Sequence, residues 1–176
     1  MVPIYPTNSP SECAWVTSNS EARFIVVEDA AQAAKIAEVR GDLPALEAVI
    51  AIDASGDVGD AISLEDLRER GRGRDAAEVA ERAAAVKPSD PYTFIYTSGT
   101  TGPPKGCVLT HGNYREVLNT SESLGALESG EVADLYHPLA HSYALLIQLL
   151  AIALGSTAIT CSSAGSSPRT SAILAA

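Results

Sequence analysis

A chain of 176 residues, 46% of them hydrophobic, is long enough to form one ordinary domain with a real core, because chains near this size hide about 70% of their unfolded surface. The formal charge of -10 is unevenly spread: residues 1–90 hold 9 Lys+Arg against 17 Asp+Glu, while residues 91–176 hold 3 against 5. Such an acidic body repels phosphate backbones at long range, which argues against a nucleic-acid partner and requires any phosphate ligand to be held locally.

The first predicted element is a helix opening at "NSPSECAWVTS", with Ser9 as N-cap, Pro10 at the first helical position and Glu12 placed to close a capping box. The β-branched run "RFIVVE" (23–28) follows as a strand, then the alanine-rich helix "DAAQAAKIAEVRG" stopped by Gly41, then the strand "EAVIAI" (47–52), which makes one βαβ unit. "DASGDVGD" (53–60) reads as a loop. A short helix capped by Ser63, with Asp66 three residues on, ends at Gly71, and a second alanine-rich helix spans about 75–86. The basic run "RERGRGR", carrying Arg68, Arg70, Arg72 and Arg74, is interrupted and flanked by acidic residues and reads as a solvated turn.

"KPSDP", with prolines at 88 and 91, sets the expected boundary between segments 1–90 and 91–176. Beyond it come the strand "YTFIYTS", a glycine-proline loop, the strand "CVLTH", a helix over about 112–124, a strand over about 133–137, an apolar helix over 143–154 ended by Gly155, and the strand "STAITC". As a helix the apolar run rises about 18 Å, short of a hydrocarbon core of about 30 Å, so a buried core helix is expected. The tail "SSAGSSPRTSAILAA" has no period and reads as loop. Strand-type and helix-type segments alternate throughout, which predicts an α/β fold of parallel type. Cys13, Cys107 and Cys161 are odd in number and scattered, and no apolar secretory segment opens the sequence, so a reducing, cytoplasmic setting is expected.

The loop "TSGTTGPPKG" concentrates the chemistry. Its glycines let main-chain N–H groups approach a ligand without a Cβ in the way; Thr97, Ser98, Thr100 and Thr101 add hydroxyl donors, and Lys105 adds one positive charge. Together they form a nest for phosphate oxygens through charge-assisted hydrogen bonds, and the two prolines stiffen the return. The nucleoside-triphosphatase pattern G-x-x-x-x-G-K-[ST] does not fit, because Lys105 stands three residues after Gly102 and is followed by Gly106 where a hydroxyl should be. A plain glycine-rich hairpin is the competing structural reading.

A metal reading pairs Cys107 with His111 and His137 with His141 at zinc-type spacing. Pro138 disrupts the second pair, and on a strand the members of the first would lie about 13 Å apart, too far for one ion, so no metal residue is expected.

The string from Phe94 to Lys105 resembles the AMP-binding signature of the adenylate-forming superfamily, which includes acyl-CoA synthetases, luciferases and peptide-synthetase adenylation domains. "VPIYPTNSPSECAWVTSNSEARFIVVED", "GCVLTHGNY" and "HPLAHSYALLIQLLAIALGST" are similar to successive segments of long-chain fatty acyl-CoA ligases, over roughly residues 2–160. The resemblance implies part of the large N-terminal domain of such a ligase, with a fatty carboxylate attacking the α-phosphate of ATP and CoA then displacing AMP.

It further implies that Thr97, Ser98, Gly99, Thr100, Thr101, Gly102 and Lys105 hold the β- and γ-phosphates by electrostatic stabilisation, with Mg2+ bridging phosphate oxygens. His141 of "PLAHS" matches the position beside the acyl carboxylate; its competing reading is a core histidine at a helix start. His137 departs from the usual apolar residue before "PLAH". The family's adenine strand, ribose-binding aspartate, hinge and lysine-bearing C-terminal catalytic domain are not found in this sequence, so the chain alone is not expected to make acyl-CoA. Fatty acid, ATP and CoA are the expected small-molecule partners, alongside membrane-surface association of the parent enzyme and self-association through uncovered apolar surface. A nucleotide- or partner-binding role without catalysis, and activation of aryl or amino acids, are the alternatives.

Overall fold

The structure is a computed structural model that describes residues 1–97, 102–160 and 173–175. In chain order it runs β1 (Val2–Ile4), α1 (Pro10–Asn19), β2 (Phe24–Val27), α2 (Ala30–Glu38), a 3-10 turn (Arg40–Asp42), β3 (Ala48–Ala51), β4 (Ile62–Ser63), α3 (Leu64–Gly71), α4 (Ala77–Ala85), β5 (Pro91–Thr97), β6 (Lys105–Thr110), α5 (His111–Ser123), β7 (Val132–Leu135), α6 (Ser142–Leu154), β8 (Thr157–Thr160) and β9 (Ile173–Ala175).

The expected α/β class holds, but the sheets are mixed. A five-stranded sheet has the order β1-β9-β2-β3-β4. Within it β2, β3 and β4 are parallel, with Phe24 opposite Ala48 and Ile50 opposite Ile62, as the βαβ reading requires. β9 runs antiparallel between β1 and β2, placing Ala175 opposite both Val2 and Ile25. The expectation of a tail that is all loop is therefore corrected: a strand pair needs only extended backbone with free N–H and C=O groups, and three residues without any helical or strand period supply it. β5 and β6 form an antiparallel hairpin, and β7 and β8 pair in parallel.

Helix starts follow their capping residues. The Ser9 hydroxyl accepts from the Glu12 N–H (3.3 Å) while the Glu12 carboxylate accepts from the Ser9 N–H (2.8 Å), the reciprocal box predicted for α1. The bond the Glu12 carboxylate accepts from the Ser9 N–H, and a second it accepts from the Ser9 hydroxyl (2.9 Å), hold that carboxyl below its ordinary pKa of 4.5. Asp29 caps α2 through the Gln32 N–H (3.0 Å), and Ser63 caps α3 through the Asp66 N–H (3.0 Å). α2 gives way to the 3-10 turn after Glu38, so Gly41 lies inside that turn and is not the stop signal expected.

The main core lies between the five-stranded sheet and helices α1 and α2, where Ile4, Cys13, Val16, Ile25, Val27 and Ile36 are buried. Cys13 is free, and burial raises its thiol pKa, which keeps it an inert apolar filler. Phe94 and Tyr96 of β5 pack on the flank of this core, and the Phe94 N–H donates to the Met1 carbonyl (3.2 Å). The hairpin is thereby seated against the first sheet. On the other side α5 and α6 pack together, and α6 is only part buried: Ala144, Leu145, Leu150 and Ala151 are inside, whereas Ile152 is 70% exposed. That corrects the expectation of a buried core helix, because α6 is apolar all round yet only one side of it is covered here. No helix among the described residues is long and apolar enough to cross a membrane.

Candidate functional site

The expected phosphate loop is the connection of the β5–β6 hairpin. The ladder closes with Tyr96 opposite Gly106 and, one step nearer the turn, Thr97 opposite Lys105. Of the seven predicted phosphate-binding residues, Thr97, Gly102 and Lys105 are described; Ser98, Gly99, Thr100 and Thr101 lie outside the described residues. Thr97 and Lys105 are both exposed, and among the described residues no carboxylate pairs with the Lys105 ammonium. Gly102 has φ +84°, with nothing within 4 Å of a Cβ placed on it, so the turn uses a left-handed angle and keeps open space beside the chain.

One local expectation changes. The second strand begins at Lys105, two residues before the expected Cys107, so the lysine's backbone is fixed in the ladder and only its side chain is free. Gly106 permits this. A Cβ there would meet the Tyr96 ring at 3.0 Å, so the tyrosine lies across the glycine and the ladder continues to the edge of the turn.

Two side chains of α1 reach the same level of the hairpin. The Trp15 indole Nε1–H donates to the Pro104 carbonyl (2.9 Å), and the Tyr96 hydroxyl donates to Asn19 Oδ1 (2.6 Å). Burial pushes the Tyr96 phenol above its ordinary pKa of 10.0, so it remains a donor at neutral pH. Sequence reasoning missed these two residues. The available signal was a tryptophan and an asparagine four positions apart on one helix face, which says nothing of the strand they meet.

His141 is the N-cap of α6, and its Nδ1 accepts the Tyr143 N–H (3.2 Å). In the neutral ring Nε2 then carries the proton and is the atom left for a ligand. The histidine is exposed, so the core reading does not describe it. His137 stacks on it with ring centroids 5.2 Å apart and planes 18° from parallel, and Tyr136 and Tyr143 contact His137 in turn. The H-x-x-x-H spacing thus builds a ring stack. Among the described residues no group of three or more His, Cys, Asp or Glu comes together to hold a metal. His111 opens α5, where Thr110 and Asn113 form a second capping box (3.2 and 3.0 Å) that sequence reasoning did not identify. Between α5 and α6 lies a cavity of ≈ 260 Å³ walled mainly by apolar groups, with Leu109, Val117 and Leu146 on one part and Ser142 and Tyr143, the residues just after His141, on another. No hydrogen bond or ring contact among the described residues joins His141 to Thr97, Gly102 or Lys105.

A family model for AMP-binding enzymes matches residues 1–175. The chain belongs to the AMP-binding enzyme family. Over 152 residues the chain is 40% identical to the long-chain-fatty-acid–CoA ligase FadD15 of Mycobacterium bovis, covering 85% of the chain and 25% of that protein. It is 33% identical over 157 residues to the long-chain-fatty-acid–CoA ligase ACSBG2 of Xenopus laevis, covering 84% of the chain and 21% of that protein. The AMP-binding chain thus spans about a quarter or less of these relatives.

Among solved structures it is similar to the inhibitor-bound N-terminal domain of FACL13 from Mycobacterium tuberculosis, with TM-score 0.67, 27% identity, and coverage of 91% of this chain and 37% of that one. The red-emitting luciferase of Phrixothrix hirtus shares the fold at TM-score 0.70 and 17% identity, with coverage of 94% and 32%. The expected resemblance and the expected fold class both stand: the architecture is that of the N-terminal domain of adenylate-forming enzymes.

Proposed function

We propose that this chain is the phosphate-binding portion of an ATP-dependent long-chain fatty acyl-CoA ligase. The observation that carries the reading is the hairpin closing Thr97 against Lys105 at the base of the Gly/Thr turn, in a chain 40% identical to a long-chain-fatty-acid–CoA ligase over 152 residues. Thr97 donates its hydroxyl and Lys105 its ammonium to the β- and γ-phosphate oxygens of ATP, and Ser98, Gly99, Thr100, Thr101 and Gly102 complete the cradle. The charge on pyrophosphate grows as it leaves. The ladder fixes the backbones of Thr97 and Lys105, so their side-chain donors start from a set spacing as that charge develops.

The residues present suit a triphosphate, since the cation is unpaired among described carboxylates and there is open space at Gly102. Among the described residues there is no carboxylate cage for Mg2+, which would be held through phosphate oxygens and would supply charge neutralisation there. His141, with Nε2–H free, donates to the fatty carboxylate. The apolar cavity that begins at Ser142 and Tyr143 accepts the start of the acyl chain. CoA and fatty acid are partners of the whole ligase; these 176 residues match about a quarter of a relative's length, and by themselves they form no thioester.

Calorimetric titration with MgATP tests the reading. Lys105→Ala should weaken binding by about 10- to 100-fold, the loss of a hydrogen bond to a charged group, with the melting temperature unchanged. Equal binding by the wild type and Lys105→Ala rejects the phosphate site, and acyl-CoA formed by the purified chain rejects the claim of inactivity.

A further inference from the structure

We propose that Trp15 and Asn19 of α1 are positioning residues that clamp the phosphate hairpin at the mouth of its turn; the inference rests on the reading of that turn as a phosphate site.

An antiparallel pair of strands is marginal in water by itself, and it splays most easily at its free end. The root of this hairpin is tied down, because Met1 exchanges hydrogen bonds with Tyr92 and Phe94. The far end is where Thr97 and Lys105 must keep their spacing. There each strand has one tie to α1. Tyr96 on the outgoing strand donates to Asn19, and Pro104, which leads into the returning strand, accepts from Trp15. Proline has no N–H, so its carbonyl is the only backbone handle at that position, and the indole has taken it. The Tyr96 ring lies across Gly106, its partner in the register, so the bond to Asn19 also presses on the returning strand.

Both ties sit within one residue of the Thr97–Lys105 pair. Trp15 and Asn19 are four residues apart on one helix, so a single rigid element sets both strands at once. Trp15 is 40% exposed, a costly place for an indole unless its N–H and face have work to do. Neither residue touches the phosphate; each acts through the hairpin.

The test uses Trp15→Phe, Tyr96→Phe, Asn19→Leu and the rescue variant Asn19→Asp, each in the 176-residue chain. Hydrogen exchange of the β6 amides from Lys105 to Val108 is read beside MgATP titration. Trp15→Phe, Tyr96→Phe and Asn19→Leu should each raise exchange there by about five-fold, the loss of one net hydrogen bond, while exchange in β2 and β3 stays at the wild-type rate. Asn19→Asp, which keeps an acceptor, restores protection, and Asn19→Leu adds nothing once Tyr96 is already phenylalanine. MgATP binding weakens in step with exchange although Lys105 is intact.

Trp15 is the chain's one tryptophan, so its emission reports the clamp directly and should shift on MgATP addition in the wild type and in Tyr96→Phe. Unchanged β6 exchange in Trp15→Phe and Tyr96→Phe overturns the clamp whether or not ATP binds. MgATP binding that ignores Lys105→Ala overturns the phosphate reading instead, and exchange still decides the clamp.

Discussion

The two sides of this molecule are finished to different degrees. The five-stranded sheet with α1 and α2 closes over its own core: Ile4, Val16, Ile25, Val27 and Ile36 are all at 2% exposure or less. The side that carries the hairpin, α5, α6 and the β7–β8 pair leaves Val108, Val117, Val132, Tyr143, Ile152 and Ile159 largely exposed, and among its described large side chains Leu150, Leu145 and Thr93 are the ones most fully buried. The difference teaches that the turn end of the proposed phosphate hairpin is tied to the closed side, through Tyr96 and the bonds to Trp15 and Asn19, whereas its root also meets α5, where Tyr92 packs on His111 and Tyr114.

The sharpest way to break that comparison is to remove matching groups from each side. Ile36→Ala should cost about 2–5 kcal/mol by chemical denaturation, because it removes every side-chain carbon beyond Cβ from a closed core, whereas Ile152→Ala should stay within about 0.5 kcal/mol. A core-sized loss at Ile152 would mean that the open face is covered by another copy of the chain, and light scattering would then rise with concentration.

A smaller effect sharpens the closed side. Ser9→Ala should cost about 1 kcal/mol by removing the reciprocal cap of α1, the helix that carries Trp15 and Asn19. The Glu12 carboxyl is held low by Ser9, so its contribution is present above 4.5 and is lost as pH falls through the lower folded value. Acid titration of Ser9→Ala should show a smaller step, because the backbone N–H at position 9, the larger cause, still donates to Glu12 and only the hydroxyl bond is lost.

The smallest effect belongs to the hairpin side. Burial raises the phenols of Tyr92, Tyr96 and Tyr114 above 10.0, with Tyr92 adding to the shift at Tyr114. A raised folded value means stability that is complete below 10.0 and disappears as pH rises through the higher folded values. Alkaline titration followed by tyrosinate absorbance should show three late phenols in the wild type and two in Tyr96→Phe, with β6 exchange rising over the same window.

Local chemistry was legible wherever it acts over three or four residues. The caps at Ser9 and Ser63, the β-branched strands at 24–27 and 48–51 and the stop of α6 at Gly155 all follow from neighbours in sequence. The start of β6 at Lys105 was misjudged because it depends on Tyr96 lying over Gly106 across the hairpin. The capping box at Thr110 was missed because asparagine stood where glutamate or glutamine is the usual cue.

What the sequence by itself determined is most of the helices and strands, with β1, β4 and β9 excepted, since propensity and capping are properties of short stretches. Only the tertiary structure decided that β9 enters the sheet between β1 and β2, that His137 stacks on His141, and that Trp15 meets Pro104 across 89 positions. Those contacts are fixed by which surfaces the core brings together, and no local pattern records a partner so far along the chain.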